Sequence, residues 1–431
     1  MTAVAILGLG ASGEAAARLA LAQGDTPYVS DLRSDASTAT RATRLRQLGA
    51  DVELGAHDHD RIANAGLVVV SPGIPPHAPV LRDLRARGRR WVSEPEFAAR
   101  LYRGPLIAVT GTNGKTTTTL LTAHLLRTAG LDVGVGGNVG GGLAPPASEL
   151  ALLDPPPAWF VLEVSSFQLA AVETFTPDIG VLTNLAPDHL DRYPSIEAYY
   201  ADKAHLFDNA GAGSRWVLGD QAEVDALVED RPGRRYVFST RRSEGVHAFV
   251  REGVLTLNLD GSEEPLLSRA DLPLLGAHNV ANALAAALTA RLAGVEPEAL
   301  AAGLRTARAL PHRMEPVGTR EGVLWVNDSK ATNVSATVSA VASADRPLVL
   351  LLGGPDKGED LGPLVDALPG PARAVVCYGE AGERFAVRLS VVPGLRLIRA
   401  SDFAAAVERG AAVAEAGDLL LLSPAASSFD E

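Results

Sequence analysis

The chain has 431 residues, enough for two to four domains with substantial cores. Hydrophobic residues make up 47%, charged residues 21% and aromatics 5%, a globular balance that excludes a disordered chain or a coiled coil. Lys plus Arg is 39 against 51 Asp plus Glu, and the net charge of −12 argues against broad binding to nucleic acid or an anionic membrane.

The single cysteine, Cys377, excludes an intrachain disulfide framework and a Cys-rich zinc site. No apolar run approaches the ~18 residues of a membrane span, and the first apolar stretch is broken at Gly8, Gly10 and Gly13, so a cytoplasmic protein is expected. Of the 39 cationic residues, only Lys115, Lys203, Lys330 and Lys357 are lysines. Arg does not replace a compact or titratable amine, which makes these four candidates for chemistry before any motif is considered.

Residues 3–13, Ala-Val-Ala-Ile-Leu-Gly-Leu-Gly-Ala-Ser-Gly, predict a buried parallel strand running into a glycine turn, then an Ala-rich helix from Glu14 to Ala22. The turn has G-x-G-x-x-G spacing, and a second strand near Thr26–Ser30 ends at Asp31, where a dinucleotide fold places its ribose acid. The same loop cradles other nucleotide diphosphates, so NAD is one reading among several. A third strand, Leu67–Val70, runs into Ser71-Pro72-Gly73-Ile74, which is either a plain tight turn or a ligand-collecting strand end of an open α/β sheet.

A boundary is expected near Leu101–Pro105. Strand Leu106–Val109 then leads into Thr110-Gly111-Thr112-Asn113-Gly114-Lys115-Thr116-Thr117 and a helix over Thr118–Thr128. Glycines let backbone N–H groups approach an anion, the helix N-terminus adds its dipole, the Lys reaches the β and γ phosphates and a Thr hydroxyl can ligate Mg²⁺. Val109 replaces the first Gly of the G-x-x-x-x-G-K-[ST] pattern, yet the combination predicts a nucleoside triphosphate site.

Six glycines within Gly134–Gly142, around Asn138, suggest either a backbone pressed on a ligand or a flexible loop, and the Pro-rich stretch Leu150–Ala158 reads as a connector. Strand Trp159–Val164 carries Glu163 one sheet position from the phosphate loop, where such enzymes hold Mg²⁺, and Ser165-Ser166-Phe167-Gln168 follows. Strand Ile179–Asn184 ends in the polar run Asn184–Tyr193, which gives His189 a functional rather than a core setting, and Lys203 lies on a helix over Ile196–Phe207.

Short strands are expected near residues 215–218, 235–239, 246–250 and 254–259. A helical stretch then begins at Leu275-Gly276-Ala277-His278-Asn279 and runs to Leu292, with Asn279 and Asn282 on one face, either for a base or phosphate or as caps. After a second boundary at Leu310-Pro311-His312-Arg313, strands Val323–Asn327, Leu348–Leu352, Ala374–Tyr378 and Asp418–Leu422 alternate with helices. Their ends carry Asp328-Ser329-Lys330-Ala331-Thr332-Asn333, Gly353–Gly358 with Lys357, and Ser423-Pro424-Ala425, so all four lysines stand at or beside strand ends.

In this order the motifs resemble the Mur ligase family, the ATP-dependent amide-bond-forming enzymes of peptidoglycan precursor synthesis, over nearly the whole chain. The central set is family-wide, whereas Asp328–Asn333 and Ser71-Pro72-Gly73 resemble the member that adds D-glutamate. The resemblance implies an α/β protein of three domains: a Rossmann-like UDP-binding domain (1–102), a central phosphate-loop ATPase domain with a mostly parallel sheet (103–311), and a Rossmann-like amino-acid-binding domain (312–431). It also implies ATP and two Mg²⁺ ions as cofactors, UDP-N-acetylmuramoyl-L-alanine and D-glutamate as substrates, and a monomer with no nucleic-acid or membrane partner.

By the same resemblance Lys115, Glu163, His189 and Lys203 are catalytic, and Thr116, Glu163, His189 and a carbamylated Lys203 surround the metal. ATP is assigned to Gly111, Thr112, Asn113, Gly114, Lys115, Thr116, Thr117, Asn279, Asn282, His312, Arg313 and Asp328. The UDP substrate is assigned to Ala11, Ser12, Asp31, Leu32, Arg33, Ser71, Pro72, Gly73, Asn138 and His189. D-glutamate is assigned to Lys330, Thr332, Lys357, Ser428 and Phe429. The chemistry is coherent: the γ-phosphoryl of ATP activates a carboxylate as an acyl phosphate, an amine attacks it, and a carbamate supplies anionic oxygens that Arg cannot.

Two departures from the family pattern stand out. Leu32-Arg33 follows Asp31 where the related ligase has a hydroxyl before the Arg, which leaves the uracil contacts open. The family continues for a further helix beyond Glu431, so a truncated last domain with exposed apolar surface is expected. Among other readings, a sibling Mur or folylpolyglutamate-type ligase lacks Asp328–Asn333 as written, and an NAD-dependent oxidoreductase leaves the phosphate loop unexplained. A non-enzymatic nucleotide switch needs no Glu163, His189 and Lys203 set.

Overall fold

The strand Ala3–Leu7 lies at the centre of a five-stranded parallel sheet, paired with Thr26–Asp31 on one side and Leu67–Val70 on the other. Asp51–Leu54 and Val92–Ser93 form the two edges. A central parallel strand is covered on both faces and so reads as a continuous apolar run. Val4 and Ile6 enter one core cluster, Ala5 and Leu7 the other, as a period of two requires. The strand order reverses between Ala3–Leu7 and Leu67–Val70, and the glycine turn and Ser71–Ile74 both stand at that switch point. The computed structural model describes residues 3–139, 142–189 and 192–426; Ser428 and Phe429 lie outside them.

A second sheet has nine strands in the spatial order Ser262–Ser268, Val254–Leu259, Val246–Arg251, Arg234–Phe238, Arg215–Gly219, Ile179–Leu182, Leu106–Thr110, Trp159–Glu163 and Val133–Gly137. It is parallel from Val133–Gly137 across to Val246–Arg251, which turns antiparallel against Val254–Leu259. Leu106–Thr110 is entirely buried, and its neighbours set Val109 opposite Glu163 and Thr110 opposite Leu182. That register brings three strand ends to one edge. Leu106, Ala108, Phe160 and Leu162 share a core cluster with Val4 and Ile6 of the first sheet.

The third sheet runs Glu315–Arg320, Val323–Asn327, Leu419–Leu422, Leu348–Gly353, Ala372–Tyr378 and Arg396–Arg399, with only the first pair antiparallel. The chain divides into two compact units, Met1–Leu266 with Asn282–Gly303, and Leu267–Ala281 with Leu304–Glu431. The first two sheets therefore share a unit, a coarser division than the three segments expected from the sequence.

Several strands escaped the sequence pattern: Asp51–Leu54, Val133–Gly137, Ser262–Ser268, Glu315–Arg320 and Arg396–Arg399. All are sheet edges; four carry solvent-facing residues that interrupt the apolar run, and the mostly buried Val133–Gly137 is interrupted by three glycines instead. The glycines at 134, 136 and 137, for which the sequence leaves a ligand-facing backbone or a flexible loop open, belong to one of them. Gly137 has φ +95, and a Cβ there would stand 2.3 Å from the carbonyl oxygen of Glu163, so this glycine lets the two strands approach closely.

Candidate active site

Strand Leu106–Thr110 delivers Gly111–Gly114 to the N-terminus of a 14-residue helix, Lys115–Thr128. Gly114 precedes the helix with φ +80, and a Cβ on it would lie 2.2 Å from Asn282 Oδ1. Two residues at the end of the next strand pin the loop. The Thr183 hydroxyl donates to Asn113 O at 2.6 Å, the Asn113 N–H donates to Asn184 Oδ1 at 2.9 Å, and Asn184 Nδ2 donates back to Asn113 O at 2.9 Å. Neither Thr183 nor Asn184 was singled out from the sequence as a site residue, because the pairing exists only after the strands align. Backbone N–H groups at a helix start, held in a glycine turn, form an anion site. Thr116 is buried there and Thr117 half-buried.

Lys203, on the helix Ile196–Ala204, is 1% exposed. Its Nζ donates to Gly111 O at 2.7 Å, and Lys115 Nζ donates to the same oxygen at 3.0 Å and to Thr112 O at 2.7 Å. Burial pushes the Lys203 amine well below its ordinary pKa. The Lys115 charge acts in the same direction, opposed by Asp188, Asp202 and Glu163. Tyr199 packs its ring 4.5 Å from Lys203 Nζ and donates its hydroxyl to Thr112 Oγ1 at 3.3 Å. Glu163 is 3% exposed at the end of Trp159–Glu163 and accepts from Asn138 Nδ2 at 3.3 Å.

His189 has the left-handed φ of +56 and sets its ring edge-on to Phe167 at 5.1 Å and to Tyr199 at 5.8 Å. The four residues expected to be catalytic thus meet around one loop, Lys115 and Lys203 on a shared carbonyl, with His189 reaching Lys203 through Tyr199. Among the described residues no group of three or more His, Cys, Asp or Glu is arranged to bind a metal. The expected set contains two such residues, Glu163 and His189, and otherwise rests on the Thr116 hydroxyl and Lys203.

At the switch point of the first sheet, Gly8, Gly10, Ala11, Ser12, Asp31, Arg33 and Ser71–Ile74 line a cavity of about 330 Å³. Asp31 is 5% exposed, with Oδ2 accepting from the Leu9 N–H at 2.7 Å and Oδ1 from the Arg33 N–H at 2.8 Å. Burial raises its pKa, but the Arg33 guanidinium and these N–H groups prevail and hold it low. Leu32, expected at this site, is 61% exposed and is not part of the lining. Asn138 and His189 do not line it either; they stand at the phosphate loop's sheet. A second cavity of about 110 Å³ shares Ser71, Pro72 and Ile74 and continues to Arg85, Trp91, Phe167, Arg192, Tyr193 and Asp202. The sequence carried no signal for Arg85 or Trp91.

Asn279 and Asn282, read together as one helical face, have different partners. Asn282 belongs to the first unit and accepts from Thr118 Oγ1 at 3.4 Å beside Gly114. Asn279 belongs to the second unit and donates to Leu275 O at 2.8 Å. In that unit Asp328 is 7% exposed, accepts from Ser423 Oγ at 2.9 Å and from the Met314 N–H at 3.1 Å, and burial pushes its pKa up to about 6. His312 is exposed at φ +64 beside the exposed Arg313, and its carbonyl accepts from the Lys330 N–H at 3.1 Å. Lys357 donates its ammonium to Thr332 O at 2.8 Å. Three of the five residues assigned to the amino acid are therefore neighbours; Ser428 and Phe429 fall outside the described residues.

Residues 2–93 match the MurD-like N-terminal domain of Mur ligases, residues 109–290 the Mur ligase middle domain, and residues 312–426 the Mur ligase glutamate ligase domain. The chain is 40% identical to the UDP-N-acetylmuramoylalanine–D-glutamate ligase of Acidobacterium capsulatum, over 99% of this chain and 92% of that protein. It is 40% identical to the ligase of the same name from Salinibacter ruber, over 100% and 94%. Among solved structures, MurF from Acinetobacter baumannii superposes with a TM-score of 0.62 at 16% identity, covering 99% of this chain and 91% of that one. A pseudomurein peptide ligase type C from Methanothermus fervidus gives 0.61 at 20% identity, covering 100% and 98%. Three sheets, a lysine-bearing phosphate loop and full-length similarity lead to one conclusion: the chain is an α/β protein that belongs to the Mur ligase family.

Proposed function

We propose that the protein is an ATP-dependent ligase that joins D-glutamate to UDP-N-acetylmuramoyl-L-alanine in peptidoglycan precursor synthesis. Full-length similarity at 40% identity to ligases of that name carries the amino-acid assignment. The geometry supports the reaction class. Lys115 and Lys203 converge on Gly111 O, which places Lys115 as the cation and Lys203 as the amine to be carbamylated where a triphosphate and a carboxylate have to meet.

The alanyl carboxylate is a poor electrophile, and transfer of the γ-phosphoryl of ATP turns it into an acyl phosphate. Lys115 spreads the charge of that transfer. The amine of D-glutamate attacks the acyl carbon, the amide bond forms and inorganic phosphate leaves. Glu163 and Thr116 offer the hard oxygen donors that suit Mg²⁺, which would neutralise charge between the two anions when bound. His189 and a carbamylated Lys203 are the candidates for a second ion.

The cavity at Gly8–Ser12, Asp31, Arg33 and Ser71–Gly73 takes the UDP group, with Asn138 and His189 toward the muramoyl arm. Asn279, Asn282, His312, Arg313 and Asp328 serve ATP. Lys330, Thr332, Lys357, Ser428 and Phe429 serve D-glutamate. No helix among the described residues is long and apolar enough to cross a membrane, and a nucleotide-sugar substrate fits a cytoplasmic setting.

Phosphate release tests the reading directly. Turnover should require ATP, UDP-N-acetylmuramoyl-L-alanine and D-glutamate together, with L-glutamate, L-alanine and diaminopimelate poor substitutes. Faster release with another amino acid would assign the chain to a sibling ligase.

A further inference from the structure

Lys357 stands in the segment between strand Leu348–Gly353 and helix Gly362–Ala367, which has no regular structure. Lys357 and Gly358 are exposed, and Gly353, Gly354 and Gly358 all have positive φ, turns that glycine adopts without a Cβ penalty. The segment is anchored from outside. Arg384, on helix Gly382–Leu389, donates Nε to Asp356 Oδ2 at 2.6 Å and Nη2 to Asp356 Oδ1 at 2.6 Å. Its remaining nitrogen, Nη1, donates to Glu359 O at 3.0 Å. One guanidinium thus grips the chain on both sides of Lys357.

The segment is also tied to the opposite wall. Asp356 Oδ1 accepts from the Gly358 N–H at 2.8 Å, closing a turn around Lys357. Glu359 Oε2 accepts from the Val334 N–H at 2.9 Å, at the first residue of helix Val334–Ala342, and Lys357 Nζ reaches Thr332 O just before it. We propose that Arg384 is a positioning residue for D-glutamate: its fork on Asp356 and Glu359 O holds Lys357 against Thr332, so that an amino-acid carboxylate meets a lysine already in place.

This rests on the assignment of Lys357 and Thr332 to D-glutamate. Arg384 touches none of the reacting groups, and its planar five-donor head is what the geometry uses, so a lysine at this position keeps the charge and loses the grip. The same helix is buried through Phe385, Ala386 and Leu389, which leaves the fold a hold independent of Arg384.

The test measures steady-state kinetics of wild type, Arg384→Lys, Arg384→Met and Asp356→Asn against all three substrates, with thermal melts of each. Releasing the lysine adds an ordering cost to binding, so KM for D-glutamate should rise about tenfold in each variant. KM for ATP and for UDP-N-acetylmuramoyl-L-alanine should stay within about twofold, because those sites do not use the fork. An Arg384→Met/Asp356→Asn double variant should raise KM for D-glutamate by clearly less than the product of the two single effects, since the single variants share the Arg384–Asp356 contact. An unchanged KM for D-glutamate in folded Arg384→Met overturns the proposal, as does a parallel rise of all three constants with a lowered melting temperature. Wild-type turnover independent of D-glutamate would sink the underlying assignment, and this proposal with it.

Discussion

Lys203 Nζ lies 2.7 Å from Gly111 O, inside the protein and beneath the phosphate loop. An amine so buried, with Lys115 on the same oxygen, has its pKa pushed down, the direction that favours the neutral amine with which carbon dioxide reacts. Lys203→Ala should lose at least about a hundredfold in turnover, as expected when a preorganised charge is removed. Short carboxylic acids should restore part of the loss. Lys203→Arg should be as inactive and beyond rescue, because a guanidinium cannot become a carbamate. Rescue failing in the Ala variant while Arg retains activity would assign Lys203 the role of a plain cation.

Gly114 faces Asn282 with no room for a methyl group and in a backbone region that L-residues avoid. Gly114→Ala should therefore shift the loop, raise KM for ATP at least tenfold, and lower stability by about 1–3 kcal/mol, the usual range for backbone strain. Adding Asn282→Gly should recover part of the stability by removing the clash. Full ATP affinity in Gly114→Ala would show that the loop's shape does not depend on this glycine.

Glu94 and Glu96, two residues apart in helix Glu94–Ala99, should respond to pH with opposite sign. Burial pushes Glu94 up to about 7, above its unfolded value, so the folded state binds more protons between the two. Its contribution to stability is present at low pH and is lost as pH rises through about 7. For Glu96 burial acts upward too, but Thr174 and Arg100 prevail and hold it low, so its contribution is present above the unfolded value and lost on acidification. Denaturant unfolding at pH 5 and pH 8 checks both. Glu94→Gln should gain on wild type by about 1–3 kcal/mol between these pH values, and Glu96→Gln should be destabilised by a similar amount or more at both. No pH-dependent gain in Glu94→Gln would mean that the buried carboxyl is already ionised without cost.

Asp31 holds the glycine turn through Leu9 and orients Arg33 across the first cavity. Asp31→Asn leaves one acceptor where two are used, and KM for the UDP substrate should rise about tenfold, the cost of a charged hydrogen bond. KM for ATP should not move. Equal effects on both nucleotides would place the sugar nucleotide elsewhere.

The phosphate loop, the glycine turn and the strand ends bearing Lys115, Lys330 and Lys357 were all legible in the sequence, as was the helix that carries Lys203. Each is a local pattern: a strand, a turn and a helix within about 25 residues, set by periodicity and by glycine or proline chemistry. The edge strands were not legible, since solvent-facing residues or, in Val133–Gly137, glycines interrupt the apolar run. Neither were the partners. Lys203 and Gly111 are 92 positions apart, and their meeting depends on the parallel register that sets Ile179–Leu182 beside Leu106–Thr110. Thr183 and Asn184 pin the loop for the same reason, and Arg384 finds Asp356 only because a helix and a loop from different crossovers come together. Periodicity reports that a residue is buried or exposed within its own segment. Which side chain meets it is decided by strand order and register, and these belong to the tertiary structure alone.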